Sequence, residues 1–421
     1  MRYLSKIFII GIAILGILPG QSQAQLDIYG SLESDAYVFV EDSARMAKEI
    51  TNLRLKFASS AGQVGFYGST DLYHTPGQTT LDLWEGYVDI YGSFYDLRIG
   101  KQIVTWGTGD NINPTDNLNP WDLGRKTPFS EPAEKKIPVN MVNTKFYLGS
   151  FTTLSAIWVP DFHPFRLPDT SVWNMSRTLP QPTTPSNVLV TGFEAPGDPV
   201  EPANTLENSE YALKFASSFA GVDFSASYFH GWENFPTLHP DMRIDSVNTQ
   251  GQGFATITPM QRYHSIDVIG GDFATSIAGI GFRGELGYFM TEDTDEENPY
   301  IADPYLFYVF GVDYTFRNGL YVNAQYSEGV YRKFGIQADQ GDDRMVNLGF
   351  TYDVNDYNSL EIGSMYMIED ENYVLQPKYI RTIGNAVDLT LGAYIIDGNS
   401  PENFGAFRSN DQVYAELKYS F

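Results

Sequence analysis

The chain of 421 residues has no cysteine, few histidines and few bases. Without cysteine there is no disulfide staple and no thiolate metal site. The five histidines occupy none of the usual catalytic settings: there is no Gly-x-Ser-x-Gly elbow, no His-Glu-x-x-His and no phosphate loop. His264 and Ser265 adjoin, but strand neighbours point to opposite faces, so they make no base–nucleophile pair. An enzyme is not expected. Lysine and arginine total 27 against 52 acids, a net charge of -25 at pH 7, which argues against nucleic-acid binding. Long apolar runs are also missing. The longest, Ile7 to Leu18, spans about a dozen residues, whereas a membrane-spanning helix needs about 20.

That single run has another explanation. Arg2 and Lys6 precede it, Pro19 and Gly20 follow, and a small-x-small sequence ends at Ala24. These are the parts of a secretory signal, so residues 1–24 are expected to be cleaved and residues 25–421 to form one domain. An exported chain without spanning helices is either soluble or crosses a membrane as strands, whose individual apolar signal is weak.

Strands are what the rest of the sequence contains. In Asp411–Phe421, Val413, Ala415, Leu417, Tyr419 and Phe421 share one face, while Gln412, Tyr414, Glu416, Lys418 and Ser420 share the other. An apolar face toward lipid and a polar face toward a lumen is the repeating unit of a transmembrane β-barrel. Aromatic residues reach 15%, enough for girdles at both interfaces. Strand-like runs fall at 26–40, 49–59, 63–73, 80–91, 94–105, 141–148, 151–158, 210–218, 222–230, 263–277, 280–290, 306–316, 319–330, 343–352, 358–368, 372–383, 386–396 and 411–421, about 18 in all. Short turns such as Gly92-Ser93 and Ala278-Gly279 alternate with long connections at 41–48, 106–140, 159–209, 231–262, 291–305, 331–342 and 397–410. Outer-membrane barrels alternate short periplasmic turns with long extracellular loops in this way. The expected fold is all-β: a transmembrane antiparallel β-barrel of about 18 strands.

The period of two also assigns a lumen. It places Arg54, Lys56, Arg98, Lys145, Lys214, Arg283, Lys378 and Lys418 inside, with Glu85, Asp89, Glu285, Asp313, Glu361, Asp388 and Glu416. Asp27, Glu33, Asp35, Asp71 and Asp223 join them, as do the neutral Asn323, Gln325 and Asn347. Facing lipid instead would cost about 2–4 kcal/mol for each Arg or Lys at the midplane. Lys101 breaks the pattern by falling among Leu97, Ile99 and Ile103 on the apolar side, as a bulge or a membrane-edge position would produce. The bases of the first half either form a wall facing acids across a constriction or satisfy neighbouring acids.

The longer connections carry most of the negative charge. Acids cluster at Glu292, Asp293, Asp295, Glu296 and Glu297, at Asp339, Asp342 and Asp343, and at Glu369, Asp370 and Glu371. They read as solvated loops, as a cation-attracting vestibule, or as points where divalent cations bridge to lipopolysaccharide. Connection 106–140 is turn-built and long enough to have a task. Folded inward, it would constrict the lumen and present Asp110, Asp116, Asp122, Arg125, Lys126, Glu131 and Glu134, with Lys135 and Lys136 beside them. Connection 159–209 is proline-dense and carries Phe162, Phe165, Val172, Trp173 and Met175, an apolar surface for a cap, a ligand or a neighbouring subunit.

Leu97-Arg98-Ile99-Gly100-Lys101-Gln102, then Trp106-Gly107 and Asn113-Pro114-Thr115-Asp116, resemble a segment of a broad set of proteobacterial outer-membrane barrels. Phe404-Gly405, Asn410-Asp411 and the close on Leu417-Lys418-Tyr419-Ser420-Phe421 are similar to that set's final strand, and terminal Phe resembles its assembly signal. The set is distantly similar to the alginate-export porins. The resemblance implies a pore of about 18 strands in the Gram-negative outer membrane. The polyanion pores are arginine-lined, whereas the lumen read here is mixed. The function expected is passive diffusion of small hydrophilic or amphipathic solutes, with a mild cation preference and no cofactor. A plugged barrel acting as receptor or adhesin is the alternative, followed by a lipid hydrolase centred on His264. Expected partners are the bilayer, lipopolysaccharide, a small solute and divalent cations at the acidic loops; the sequence leaves monomer and homo-oligomer open.

Overall fold

In the computed structural model the described residues are 25–421, apart from 41–44, 168–172, 174–186, 296–297, 299, 330–342 and 400–402. The expected signal, residues 1–24, lies outside them. So do Pro168, Val172, Met175, Pro180, Pro182 and Pro185 of the proline-rich connection, and Glu296, Glu297, Asp339 and Asp342 of the acidic clusters.

The first strands, in chain order, are β1 (Leu26–Phe39), β2 (Met46–Ala61), β3 (Val64–Thr75), β4 (Gln78–Tyr91), β5 (Tyr95–Gln102), β6 (Val139–Tyr147) and β7 (Thr152–Val159). The middle of the chain supplies β8 (Val188–Phe193), β9 (Glu210–Phe219), β10 (Val222–Trp232), β11 (Thr237–Val247), β12 (Gly253–Arg262), β13 (Ser265–Ile277) and β14 (Ile280–Thr291). The last are β15 (Tyr305–Thr315), β16 (Leu320–Gly329), β17 (Asp343–Asn355), β18 (Asn358–Met367), β19 (Asn372–Ile383), β20 (Val387–Gly398) and β21 (Gln412–Ser420). Every one except β8, β11 and β12 belongs to one 18-stranded antiparallel sheet. Neighbours in the chain pair in order, with β7 on β9 and β10 on β13 where the extra strands intervene. The last strand pairs with the first: Ser31 faces Ser420 and Phe39 faces Gln412. The sheet is therefore closed, and no edge is left along the wall.

Hairpin chemistry accounts for the tight end. Ala220-Gly221 and Ala278-Gly279 all have positive φ, the type I′ geometry that matches strand twist. The outer face is apolar and uncovered by protein, as at Ile269, Leu286, Leu348 and Leu417. Exposed aromatics ring the turn end at Phe94, Phe151, Phe219, Phe316 and Tyr357, and the loop end at Trp158, Tyr211, Tyr288, Tyr366 and Tyr373. Two such girdles flank the lipid band of outer-membrane barrels.

Each barrel strand expected from the sequence is present, with ends displaced by a few residues at most; β5 leaves the wall at Gln102, before the expected 105. The correction concerns connections 159–209 and 231–262, which are not structureless. They supply a separate three-stranded sheet in which β12 pairs antiparallel with β11 and parallel with β8. Pro240 and Pro259 disguised these strands as loop. They face one another in register. The Pro259 carbonyl accepts from the Gly197 N–H (3.0 Å) on the side away from β11, so the pair sits where the β11–β12 ladder has no hydrogen bond to lose.

Removing residues 411–421 should expose the facing edges of β1 and β20. The truncated chain is expected to lose the heat-modifiable folded band in gel electrophoresis; a band like that of the full chain would contradict closure through β21.

Candidate functional site

Residues 103–138 run from β5 to β6 through the inside of the barrel. Their only helix is one turn, α1 (Pro132–Lys135), started by proline. The rest is irregular, so its backbone groups need partners from the wall. Glu285 on β14 supplies several: it accepts from the N–H groups of Thr108 (2.9 Å), Gly109 (3.1 Å) and Thr115 (2.8 Å), and from the Thr115 hydroxyl (2.8 Å). Gly107, with φ of 97°, lies against this carboxylate, and a side chain there would collide with it. Gln325 on β16 brackets Asp110, accepting from its N–H (2.9 Å) and donating to its carbonyl (3.1 Å). Lys48 on β2 donates to the carbonyls of Gly124 (2.6 Å), Arg125 (2.7 Å) and Lys126 (2.9 Å). The inward segment is thus pinned to opposite parts of the wall.

The strand register turns every wall residue named from the sequence toward this segment or the space beside it. Most are paired. Arg54 meets Asp71 (2.6 Å), Arg98 meets Asp89 (2.7 Å), Lys214 meets Asp272 (3.1 Å), and Arg283 meets both Asp313 and Asp110. Glu85 accepts from the Ile103 N–H (3.1 Å), Asp388 accepts from Thr382 (2.8 Å), and Lys56 lies over the Tyr29 ring. Lys145 faces Asp96 and Ser155 in register. Lys378 approaches Glu131 (3.6 Å) and Glu361 (3.8 Å). With Arg54, Arg98 and Lys214 against carboxylates, the bases of the first half do not form an unpaired wall.

The charges of the inward segment are largely anchors. Asp116 pairs with Lys136, and Asp122 with Arg166 (3.3 Å). Burial holds the Asp116 carboxyl above its usual range despite that lysine, and pushes the Lys135 ammonium down to about 8. Arg125 pairs with Asp71 and lies over the rings of Tyr73 and Trp84. Lys126 reaches Glu33 (2.8 Å), Glu134 (2.9 Å), Glu416 (3.3 Å) and Asp35 (3.7 Å). Burial alone would depress this ammonium; the surrounding carboxylates overcome that and raise it above the ordinary lysine range.

Lys101, the exception to the alternation, has a local cause. The register of β3 against β4 slips between Ser69 and Thr70, leaving Trp84 as an extra residue in β4. Trp84 turns inward and is buried, and the Lys101 ammonium donates to the Leu83 carbonyl (2.7 Å) beside the bulge. Trp84 and Lys48 are the residues sequence reasoning missed. Trp84 sits off the two-residue period, and Lys48 falls in the connection that the sequence predicts at 41–48.

Between the inward segment and β15–β19 lies a cavity of about 650 Å³. Trp121, Phe129, Phe307, Met345 and Met365 give it an apolar side; Asp110, Asn347, Glu361, Gln376 and Lys378 give it a polar one. Gly349 and Gly363 are cross-strand partners on the inward face, so the wall is thin beside it. Beside the cavity, Leu123, Phe129 and Trp173 pack with Tyr37, Tyr394, Tyr414, Phe404 and Phe407.

At the loop end, His264 accounts for one acidic cluster. Its Nδ1 meets Glu292 (3.0 Å) and its Nε2 meets His239 Nε2 (3.0 Å). The His264 ring is thus held between a carboxylate and a second imidazole. The Ser265 N–H donates to Glu292 (2.8 Å), so Glu292 rather than a hydrolytic serine holds the imidazole. Hydrogen bonds from His264 and Ser265 hold the Glu292 carboxyl down to about 2, and burial beside His264 holds His239 down to about 4. Three more of the described acids have partners: Asp293 accepts from Asn298 (2.8 Å), Glu369 from Arg344, and Glu371 from Asn399 (2.6 Å).

Glu285→Ala should leave the N–H groups of Thr108, Gly109 and Thr115 buried without acceptors. A cost of at least about 2 kcal/mol is expected, seen as faster hydrogen exchange across 107–116 with the strands unchanged; unchanged exchange would refute the anchoring role. A separate prediction concerns pH. The folded pKa of His239 lies below its ordinary 6.5, so its contribution is complete above that pH and is lost as pH falls toward about 4. Hydrogen exchange in β11, corrected for its intrinsic pH dependence, should quicken between pH 7 and 5, and His239→Gln should abolish the change.

Comparison with known proteins bears on the fold. Three Pseudomonas aeruginosa crystal structures resemble this one. OccK11 (OpdR) matches with a TM-score of 0.55 at 11% identity, covering 94% of this chain and 96% of that one. OccD3 (OpdP) gives 0.53 at 10%, covering 96% and 94%. OccK10 (OpdN) gives 0.52 at 11%, covering 94% and 99%. At these identities the likeness establishes the outer-membrane porin fold alone. No curated protein matches by sequence. One family model does, over residues 40–341, and the chain belongs to that family, described as Protein of unknown function (DUF1302).

Proposed function

We propose that the chain is a porin-like outer-membrane channel for passive diffusion of small solutes, constricted by residues 106–138. Residues 25–421 act as one barrel domain after removal of 1–24. The observation that carries this reading is the amphipathic cavity of about 650 Å³ inside a closed barrel, between the inward segment and β15–β19. Pockets of about 300–1,000 Å³ with a few polar groups suit small amphipathic molecules. Lys378, Glu361 and Asp110 orient a solute by charge, while Trp121, Phe129 and the methionines accept its apolar part. The mixed pairing along the wall favours such a solute over a polyanion, and the excess of acid gives a mild cation preference. The acidic clusters at the loop end attract divalent cations and lipopolysaccharide, and several chains associate side by side through the lipid-facing wall.

A plugged barrel serving as receptor is the second reading, favoured by the aromatic packing of Phe129 and Trp173 across the lumen. Planar-bilayer recording on protein purified from outer membranes, with Gln25 as its first residue, separates the two. Steady, cation-biased current that rises severalfold on deletion of 108–136 is expected. Absence of current from the folded wild type together with current from the deletion variant would favour the plug; absence from both would refute the channel.

A further inference from the structure

The seam where the barrel closes carries an unusual charge arrangement. In the β1–β21 register Asp35 stands directly opposite Glu416, and Glu33 opposite Lys418. Like charges in direct cross-strand apposition are destabilising. Glu33 adds a further carboxylate, and one oxygen from each of Glu33, Asp35 and Glu416 lies within 4.8 Å of the others. Lys126 is the cation that enters this group from the inward segment, with Glu134 brought in behind it. Its ammonium is 2.8 Å from Glu33 and 3.3 Å from Glu416, but 3.7 Å from Asp35. Asp35 is only 2% exposed, and neither of its oxygens has a hydrogen-bond partner. A buried carboxylate without donors is costly. Lys418, 3.9 Å from Glu33, leaves two ammonium groups against four carboxylates.

We infer that Glu33, Asp35 and Glu416 form a calcium site at the barrel seam, for which Ca²⁺ and the Lys126 ammonium compete. The ligands are all carboxylate oxygens, the choice of a hard cation, with no nitrogen or sulfur to favour zinc or copper. Calcium binds oxygen at about 2.3–2.6 Å in a flexible geometry, so three carboxylate oxygens within 4.8 Å of one another can share one ion without the strict octahedron that magnesium demands. Lys126 Nζ already occupies the centre of the group, so a bound ion displaces it. Displacement removes one of the pins holding the inward segment; those from Lys48 and Arg125 remain. The proposal rests on the inward course of that segment and not on conduction. A barrel that passes no current yet binds calcium here would sink the channel reading and leave this one intact.

Isothermal titration of the full mature chain in detergent with CaCl₂ tests it, each variant first shown to be heat-modifiable. The wild type is expected to show one saturable site above any weak binding to exposed acids. Asp35→Asn should weaken that site at least tenfold, with Glu416→Gln as the second variant should Asp35→Asn not fold. Lys126→Met should tighten it at least tenfold by removing the competing ammonium, with Lys126→Gln in reserve. Equal calcium affinity in the wild type and the carboxylate variants would place all binding on the loops and overturn the proposal. Equal affinity with and without Lys126 would overturn the competition.

Discussion

A backbone amide in hydrocarbon has no water to bond, and each one left unpaired costs several kcal/mol. That constraint shapes this molecule. Strands with an apolar outer face can satisfy it only when the last one finds the first, and β21 does so along β1 from Ser31 to Phe39. Closure then fixes what must be inside. Once Leu417 and Tyr419 face lipid, Glu416 and Lys418 have nowhere else to go. The polar interior is a consequence of the wall before it is a device for passage.

The interior is crowded with charge, and its economy is local. Arg54 and Arg98 take carboxylates from adjoining strands, Lys214 reaches past β10 to Asp272, and the segment that enters from β5 meets others such as Glu285 and Arg283. This segment has almost no secondary structure of its own. Its irregular backbone is possible because Glu285, Gln325 and Lys48 act in place of a ladder. Wall and segment therefore depend on one another: the wall supplies partners for loose amides, and the segment supplies Arg125 as a second cation to Asp71 and Lys126 to the carboxylates of β1 and β21.

Much of this was legible in the sequence because a barrel strand has a period of two and a charge on the lipid side is expensive. The strands, their alternation with long loops, and the inward orientation of residues such as Arg283 and Glu361 follow from those two rules. The rules fail where the period fails. Trp84 is an extra residue at a bulge, so it faces in where alternation would send it out, and Lys101 bonds to the carbonyl beside it. They fail again at β11 and β12, where prolines in mutual register look like loop residues. Partner choice was the least legible part. Nothing in the spacing of Asp71 and Arg125, or of Glu33 and Lys126, tells that they meet, because the meeting depends on the path of a turn-built segment across the lumen.

That path is the centre of the account, and the absence of native cysteine allows a direct test. Asp110→Cys and Asn323→Cys replace two side chains that touch, one on the inward segment and one on β16. Oxidation of intact outer membranes carrying the double variant should lock the pair as an intramolecular disulfide, protecting both thiols from a maleimide that labels either single variant after denaturation. Two thiols that remain free and labelled in the folded protein would show that the segment does not cross the barrel where it is described here.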